Sequence, residues 1–114
     1  MKNEEIARIA HEVNRAFCES IGDNSQLEWE KAPEWQHQSA IDGVESFIAN
    51  PDVTPAETHE RWMQHKLDDG WQLGAVKDET KKEHPSLVPY EQLSAHERTK
   101  DHLFRGVVTA LLKA

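Results

Sequence analysis

Residues 70–90 read GWQLGAVKDETKKEHPSLVPY, and the fold turns on how this stretch is taken. Trp71-Gln-Leu73 alternates briefly. The segment from Gly74 to Tyr90 then holds a glycine, two prolines and the apolar Val76, Leu87 and Val88 around the polar run KDETKKEH. That is the pattern of short strands or extended chain around a loop, with the pairing left open. Helical signals flank it on both sides. Upstream, Thr54-Pro-Ala-Glu57 is a capping box with proline at the first helical position. Trp62, Met63, Lys66 and Leu67 follow on adjoining turns until Gly70 closes the helix. Downstream, Ser94-Ala-His-Glu97 is a second capping box, opening a helix with Leu103, Phe104, Val107 and Leu111 along one face.

Further toward the N-terminus, Ala40, Ile41, Val44, Phe47 and Ile48 repeat with helical period from about Glu34 to Ala49, and Asn50-Pro51 ends the segment. The preceding GDNSQLEWEKAP, residues 22–33, reads as a loop ordered by Trp29. Before it, Ile6, Ile9, Ala10, Val13, Ala16 and Phe17 form an amphipathic helix over residues 4–19, stopped by Gly22. The expectation is a mainly α chain, four helices plus a small irregular β element. With no tandem repeat and no linker, residues 1–114 read as a single domain.

The 114 residues carry 13 Lys+Arg against 21 Asp+Glu, a net charge of −8. A surface this negative repels phosphate backbones and anionic lipid, so neither nucleic acid nor a membrane is an expected partner. No apolar run is long enough to span a bilayer. The opening MKNEEIARIAHEV is too acidic and periodic for a signal peptide. A lone cysteine, Cys18, excludes an internal disulfide, and the cytoplasm is the expected compartment. The charge is unevenly divided: residues 1–50 carry four basic and ten acidic groups, residues 51–114 nine and eleven. A small anion would therefore find the second part.

Most motifs fail on spacing. His59-Glu60 resembles the start of a zinc-protease HExxH, but Met63 stands where the second imidazole must be. The remaining histidines show no ligand spacing and read as surface residues, so no metal is expected. Phosphate-cradling glycine loops and nucleophile elbows are missing, and no cofactor is implied. His11 and Cys18 are seven residues apart on one helix, about 10 Å along the axis, too far to act as base and thiol. Cys18 reads as a buried small hydrophobe.

The segment from His59 to Asp101 is the most distinctive. Its pattern is His59-x-x-Trp62, Lys66, Gly70-Trp71-x-x-Gly74-x-x-Lys77-Asp78, Lys81 or Lys82, His84-Pro85-x-Leu87-Val88-Pro89-Tyr90, then Leu93 and Lys100-Asp101. In this it resembles the RyR domain, the repeat named for ryanodine receptors and found also in bacterial and phage proteins. Ala10-His11-Glu12-x-Asn14-Arg15 and Pro33-Glu34-Trp35 match the prokaryotic form, so the resemblance extends over about residues 5–112. Ala75 stands where the family often has proline, and Ser86 where cysteine or arginine is common, which leaves the ligand preference open.

The resemblance implies a mainly α fold with a small β hairpin, in tandem pairs of repeats related by approximate two-fold symmetry, which a chain with one copy would recreate as a homodimer. It also implies recognition of a nucleotide or nucleotide-derived signal. Trp62 offers a flat face for a purine, completed by Tyr90 or Trp71; stacking is worth about 1–3 kcal/mol per base. Lys66, one turn on, and the loop lysines Lys77, Lys81 and Lys82 supply cations for phosphate. Asp101 would accept the exocyclic amine of adenine and His84 would donate to ribose or phosphate, with His59 and Ser86 completing the implied set.

Each residue also has an ordinary structural reading. Trp62 and Trp71 serve equally well as core aromatics, and the loop lysines lie among Asp78, Glu79 and Glu83. Lys66 has Glu60 and Asp69 within reach, and His59 is expected to pack on, or bond near, Trp62. Asn14, Arg15 and Trp35 read as structural. The expected function is a non-catalytic sensor or sequestering protein for a small nucleotide-derived anion. Its rival is a homodimeric protein-interaction module. An enzyme built on His84 and Asp101 ranks third, because no spacing pairs a nucleophile with a base.

Overall fold

The computed structural model describes all residues, Met1–Ala114. It contains α1 (Asn3–Ser20), α2 (Glu34–Ala49), α3 (Pro55–Asp68), β1 (Gln72–Leu73), β2 (Glu83–His84) and α4 (Ala95–Leu112), with single 3-10 turns at Trp29–Lys31 and Tyr90–Gln92. The four helices fall where the apolar periods and capping boxes place them. The chain divides into two compact units, Met1–Asp52 with Thr99–Ala114, and Val53–Arg98. No helix is long and apolar enough to cross a membrane.

In the first unit α1 packs on α2. Ile6, Cys18, Val44 and Val108 are fully buried, which stabilises by about 1.5–3 kcal/mol for each large aliphatic side chain. Cys18 is the buried small residue its helical position suggests. The loop of residues 22–33 is ordered by Trp29, as expected, through contacts that its sequence neighbours do not reveal. The buried indole stacks on His37 at 4.0 Å and meets His11 edge-on at 5.7 Å. Its backbone N–H donates to Glu12 Oε2 (3.1 Å), and its carbonyl accepts from His37 Nε2 (2.6 Å). Arg15 donates to Glu12 and Glu19. The hydrogen bond from Arg15, joined by that from Trp29, holds the Glu12 carboxyl below its ordinary range.

Two expectations fail in this unit. His11 and His37 are not surface groups: their side chains are 7% and 18% exposed, because their rings close over Trp29. Trp35, at the start of α2, is 59% exposed, more open than a residue tying the helices together would be.

The second unit opens on the Thr54 cap. Thr54 Oγ1 accepts from the Glu57 N–H (3.1 Å) and donates to Glu57 Oε1 (3.0 Å). The same logic at α4 gives a Glu97 N–H to Ser94 Oγ bond of 3.2 Å. α3 ends in a Schellman motif. Gly70 has φ +89°, its N–H donates to Leu67 O, and the Trp71 N–H donates to Lys66 O at 2.9 Å. This turn aims Trp71 out of the helix and into β1.

The β element is not a hairpin. β1 and β2 are parallel, with Gln72 beside Glu83 and Leu73 beside His84. Gln72 N–H donates to Lys82 O and Gly74 N–H to His84 O, the evenly spaced pattern of a parallel pair. The loop between them is too long and too polar for a tight hairpin turn. It folds on itself instead: Asp78 Oδ1 accepts from the Thr80 and Lys81 N–H groups, and Asp78 pairs antiparallel with Glu83. Glu83 thus has Gln72 on one side and Asp78 on the other. A Cβ on Gly74 would lie 2.6 Å from Glu83 Cβ, so the close approach requires glycine there.

Candidate functional site

The helical spacing of α3 sets His59, Trp62 and Lys66 on adjoining turns, and the Schellman turn brings Trp71 back toward them. Beyond the loop, β2 delivers His84, and the turn after Pro89 delivers Tyr90. His59 is buried, 7% exposed, and its Nε2 donates to the Val88 carbonyl at 2.7 Å. It fastens α3 to the Leu87–Val88 segment, and Leu87 is itself buried.

Around His59 the rings form a continuous cluster. His59 stacks on Trp62 with centroids 5.4 Å apart, and Tyr90 lies 6.2 Å from His59. Trp62 meets His84 at 5.0 Å, nearly perpendicular, and His84 lies 6.3 Å from Trp71. Lys66 Nζ sits 4.5 Å over the Trp71 ring, a cation–π contact. His59, Trp62, Lys66, Trp71, His84 and Tyr90 are therefore assembled in one place, and Trp62, Trp71, His84 and Tyr90 remain partly open to solvent.

His84 has a defined proton arrangement. Its Nδ1 lies 3.0 Å from the Ser86 backbone nitrogen. An N–H can only donate, so Nδ1 is the acceptor and the neutral ring carries its proton on Nε2. Burial, followed by the positive charges of Lys77 and Lys66, lowers the His84 pKa from its ordinary 6.5. Glu97 opposes this by a smaller amount. At neutral pH the site presents an uncharged N–H donor flanked by two ammonium groups. Ser86 takes part through its backbone.

The other candidate residues are placed differently. Lys77 is near enough to act on His84 and also lies 3.8 Å from Glu79. Lys82, at φ +54°, donates from Nζ to the Asp69 carbonyl at 2.8 Å and lies 3.6 Å from Asp69 Oδ2. It thereby caps the C-terminal end of α3, where a cation is favoured. Lys81 is exposed, with its backbone N–H on Asp78. Asp101 lies on α4 in the first unit. Two residues that the sequence did not mark as site residues shape the site. Asp78 organises the loop, and Asp69 accepts from both Lys82 and Trp71 Nε1 (3.3 Å). An Asp with a Thr two residues on, Asp78-Glu79-Thr80, after a short strand is an Asx-turn signal that would have pointed to Asp78.

The cluster can hold a planar ring by its aromatic edges and faces and an anion by Lys66 and Lys77, with the His84 Nε2–H as a neutral donor between them. The RyR domain family model matches residues 48–113, more than half of the chain and every residue of the cluster. The chain belongs to the RyR domain family.

Proposed function

We propose that this RyR-domain protein is a non-catalytic binding protein for a small nucleotide-derived anion of the adenine nucleotide, cyclic nucleotide or ADP-ribose type, acting as a sensor or as a sequestering sponge. The observation that carries the reading is the partly open cluster of Trp62, His84, Trp71 and Tyr90 with Lys66 and Lys77 acting on the same imidazole. Stacking on a tryptophan face contributes about 1–3 kcal/mol per base and is tolerant of base identity. One side of Trp62 is taken by His59, which fixes the indole before any ligand arrives and lowers the ordering cost of binding. The lysines then supply charge to phosphate in an otherwise acidic chain.

Two features of His84 favour binding over catalysis. Its Nδ1 is engaged by a backbone N–H and not by a carboxylate, and its lowered pKa leaves it a donor at neutral pH. In a hydrolase triad that nitrogen is held by a carboxylate instead. Thermal unfolding against a panel of mono-, di- and cyclic nucleotides and ADP-ribose tests the reading. A ligand at 100 times its Kd adds about 2.7 kcal/mol of stability. One compound of the panel should raise Tm, and Trp62→Ala should abolish the rise. No shift from any compound would sink the proposal.

The second reading, a homodimeric interaction module, is favoured by a different observation. Leu73 in β1 and Val76 just beyond it are 58% and 73% exposed, two large apolar side chains left open on one short segment. A second copy of the chain would cover them and recreate the tandem pairing that the family resemblance implies. Sedimentation equilibrium of the intact chain, with Val76→Lys as the comparison, separates dimer from monomer.

A further inference from the structure

Two local rules are broken at one contact in the second unit. Asp69 is the cap residue at the C-terminal end of α3, where the helix dipole favours a cation and opposes a carboxylate. Lys82 has φ +54°, in the left-handed region that residues with a Cβ rarely adopt and that glycine would occupy without strain. Departures of this kind persist where the surrounding structure over-determines them, and they gather at binding and catalytic sites.

The two residues meet at one oxygen. Asp69 Oδ2 accepts the Trp71 Nε1–H at 3.3 Å and has Lys82 Nζ at 3.6 Å, while the same ammonium donates to the Asp69 carbonyl at 2.8 Å. What this contact fixes is Trp71. The Trp71 backbone N–H on Lys66 O sets the path of the chain, but the last torsion of an indole is soft, so the ring plane needs a restraint at its edge. The bond to Asp69 supplies one. It uses the only polar atom of the side chain and leaves the faces of the ring for contact. Lys66 Nζ lies over one face at 4.5 Å, and the His84 ring is 6.3 Å away. Asp69 and Lys82 are both exposed, and exposed ion pairs contribute little to stability. Stability therefore does not account for the arrangement, whereas orientation of the indole does.

We infer that Asp69 is a positioning residue of the cluster that runs from His59 to Tyr90: it holds the edge of Trp71 so that the indole face stays under Lys66, and Lys82 neutralises its charge beside a site that takes an anion. The inference deepens the nucleotide reading and rests on it for the class of ligand. The placement of Trp71 and Lys66 rests on the geometry of the chain alone.

The test compares Asp69→Ala, Asp69→Asn and Asp68→Ala in the intact chain. Asparagine keeps an oxygen that can accept from the indole. Asp68→Ala removes a like charge one residue away, from a carboxylate that accepts from Gln64 Nε2 at 2.8 Å. In NMR spectra of the protein without ligand, the Lys66 side-chain protons over the indole face are shifted upfield by its ring current. Asp69→Ala should carry them back toward the values of an unstructured chain and speed exchange of the Trp71 Nε1–H with solvent. Asp69→Asn should retain most of the shift, and Asp68→Ala all of it. Titration with ADP, a cyclic adenine nucleotide and ADP-ribose, followed at the Trp62 indole resonance, then reads affinity. For any of these that binds the wild type, Asp69→Ala should raise Kd about three- to tenfold, the ordering cost of one freed side chain, with Tm nearly unchanged. An unaltered Lys66 shift in Asp69→Ala, an unaltered Kd, or an equal loss in Asp68→Ala would overturn the inference. If the wild type bound none of the three, the nucleotide reading would fall, and the Lys66 comparison would still decide whether Asp69 positions Trp71.

Discussion

The two units of the chain are built from different materials. In Met1–Asp52 with Thr99–Ala114 the innermost residues are Ile6, Cys18, Val44 and Val108, with Trp29 sealed beneath two histidines. In Val53–Arg98 the buried set is Val53, Leu87, Leu93 and a histidine, and the larger rings stand partly in solvent beside lysines. Aliphatic burial yields stability in proportion to area. A histidine core yields it through one directed bond, from His59 to Val88, and leaves polar atoms and π faces partly open to solvent. Regions of low local stability are where binding surfaces are commonly found.

The largest effect expected from this difference is in the first unit. Ile6→Ala should cost about 2–5 kcal/mol, as for other fully buried aliphatic truncations, measured from the urea midpoint. His59→Ala is expected to cost less, about 1–3 kcal/mol for leaving the Val88 carbonyl without its donor. Its hydrogen-exchange signature should be confined to residues 53–98. Equal losses from the two substitutions would erase the proposed contrast. Thr54→Ala should cost about 1 kcal/mol, with the Glu57 amide the first to exchange faster.

The smallest effect is also the most specific. The His84 pKa is lowered in the folded chain, so folding favours the neutral ring. That contribution is fully present above 6.5 and is lost as pH falls from 6.5 through the lowered folded value. An NMR titration should place His84 below 6.5, and Lys66→Met should move it partway back. A bound phosphate group would move it upward too, since an anion favours the imidazolium. A His84 pKa at or above 6.5 in the protein alone would remove the electrostatic part of the site.

The helices were legible because each carries local marks. Thr54 and Ser94 announce starts, Gly22 and Gly70 announce ends, and the apolar periods between them give the faces. The gathering of His59, Trp62, Lys66, Trp71, His84 and Tyr90 was legible through the long pattern that runs from His59 to Tyr90. What escaped depended on contacts distant in sequence. The stack of His37 on Trp29 spans eight residues and has no local signature, so both His37 and His11 read as surface groups. Two-residue strands carry too little alternation to report direction, which is why nothing in the residues corrected the hairpin that the resemblance implied. Lysines in a loop look alike in sequence, whereas the structure turns Lys82 back onto Asp69 and leaves Lys66 over Trp71.

The most direct test of the central claim uses the four tryptophans, two in each unit. The indole N–H resonances of Trp29, Trp35, Trp62 and Trp71 should be followed while the intact chain is titrated with ADP, a cyclic adenine nucleotide and ADP-ribose in turn. With at least one of these, the Trp62 and Trp71 resonances should shift saturably while Trp29 and Trp35 stay in place. Saturable shifts at Trp29 or Trp35 alone, or none at any tryptophan with all three ligands, would contradict the account.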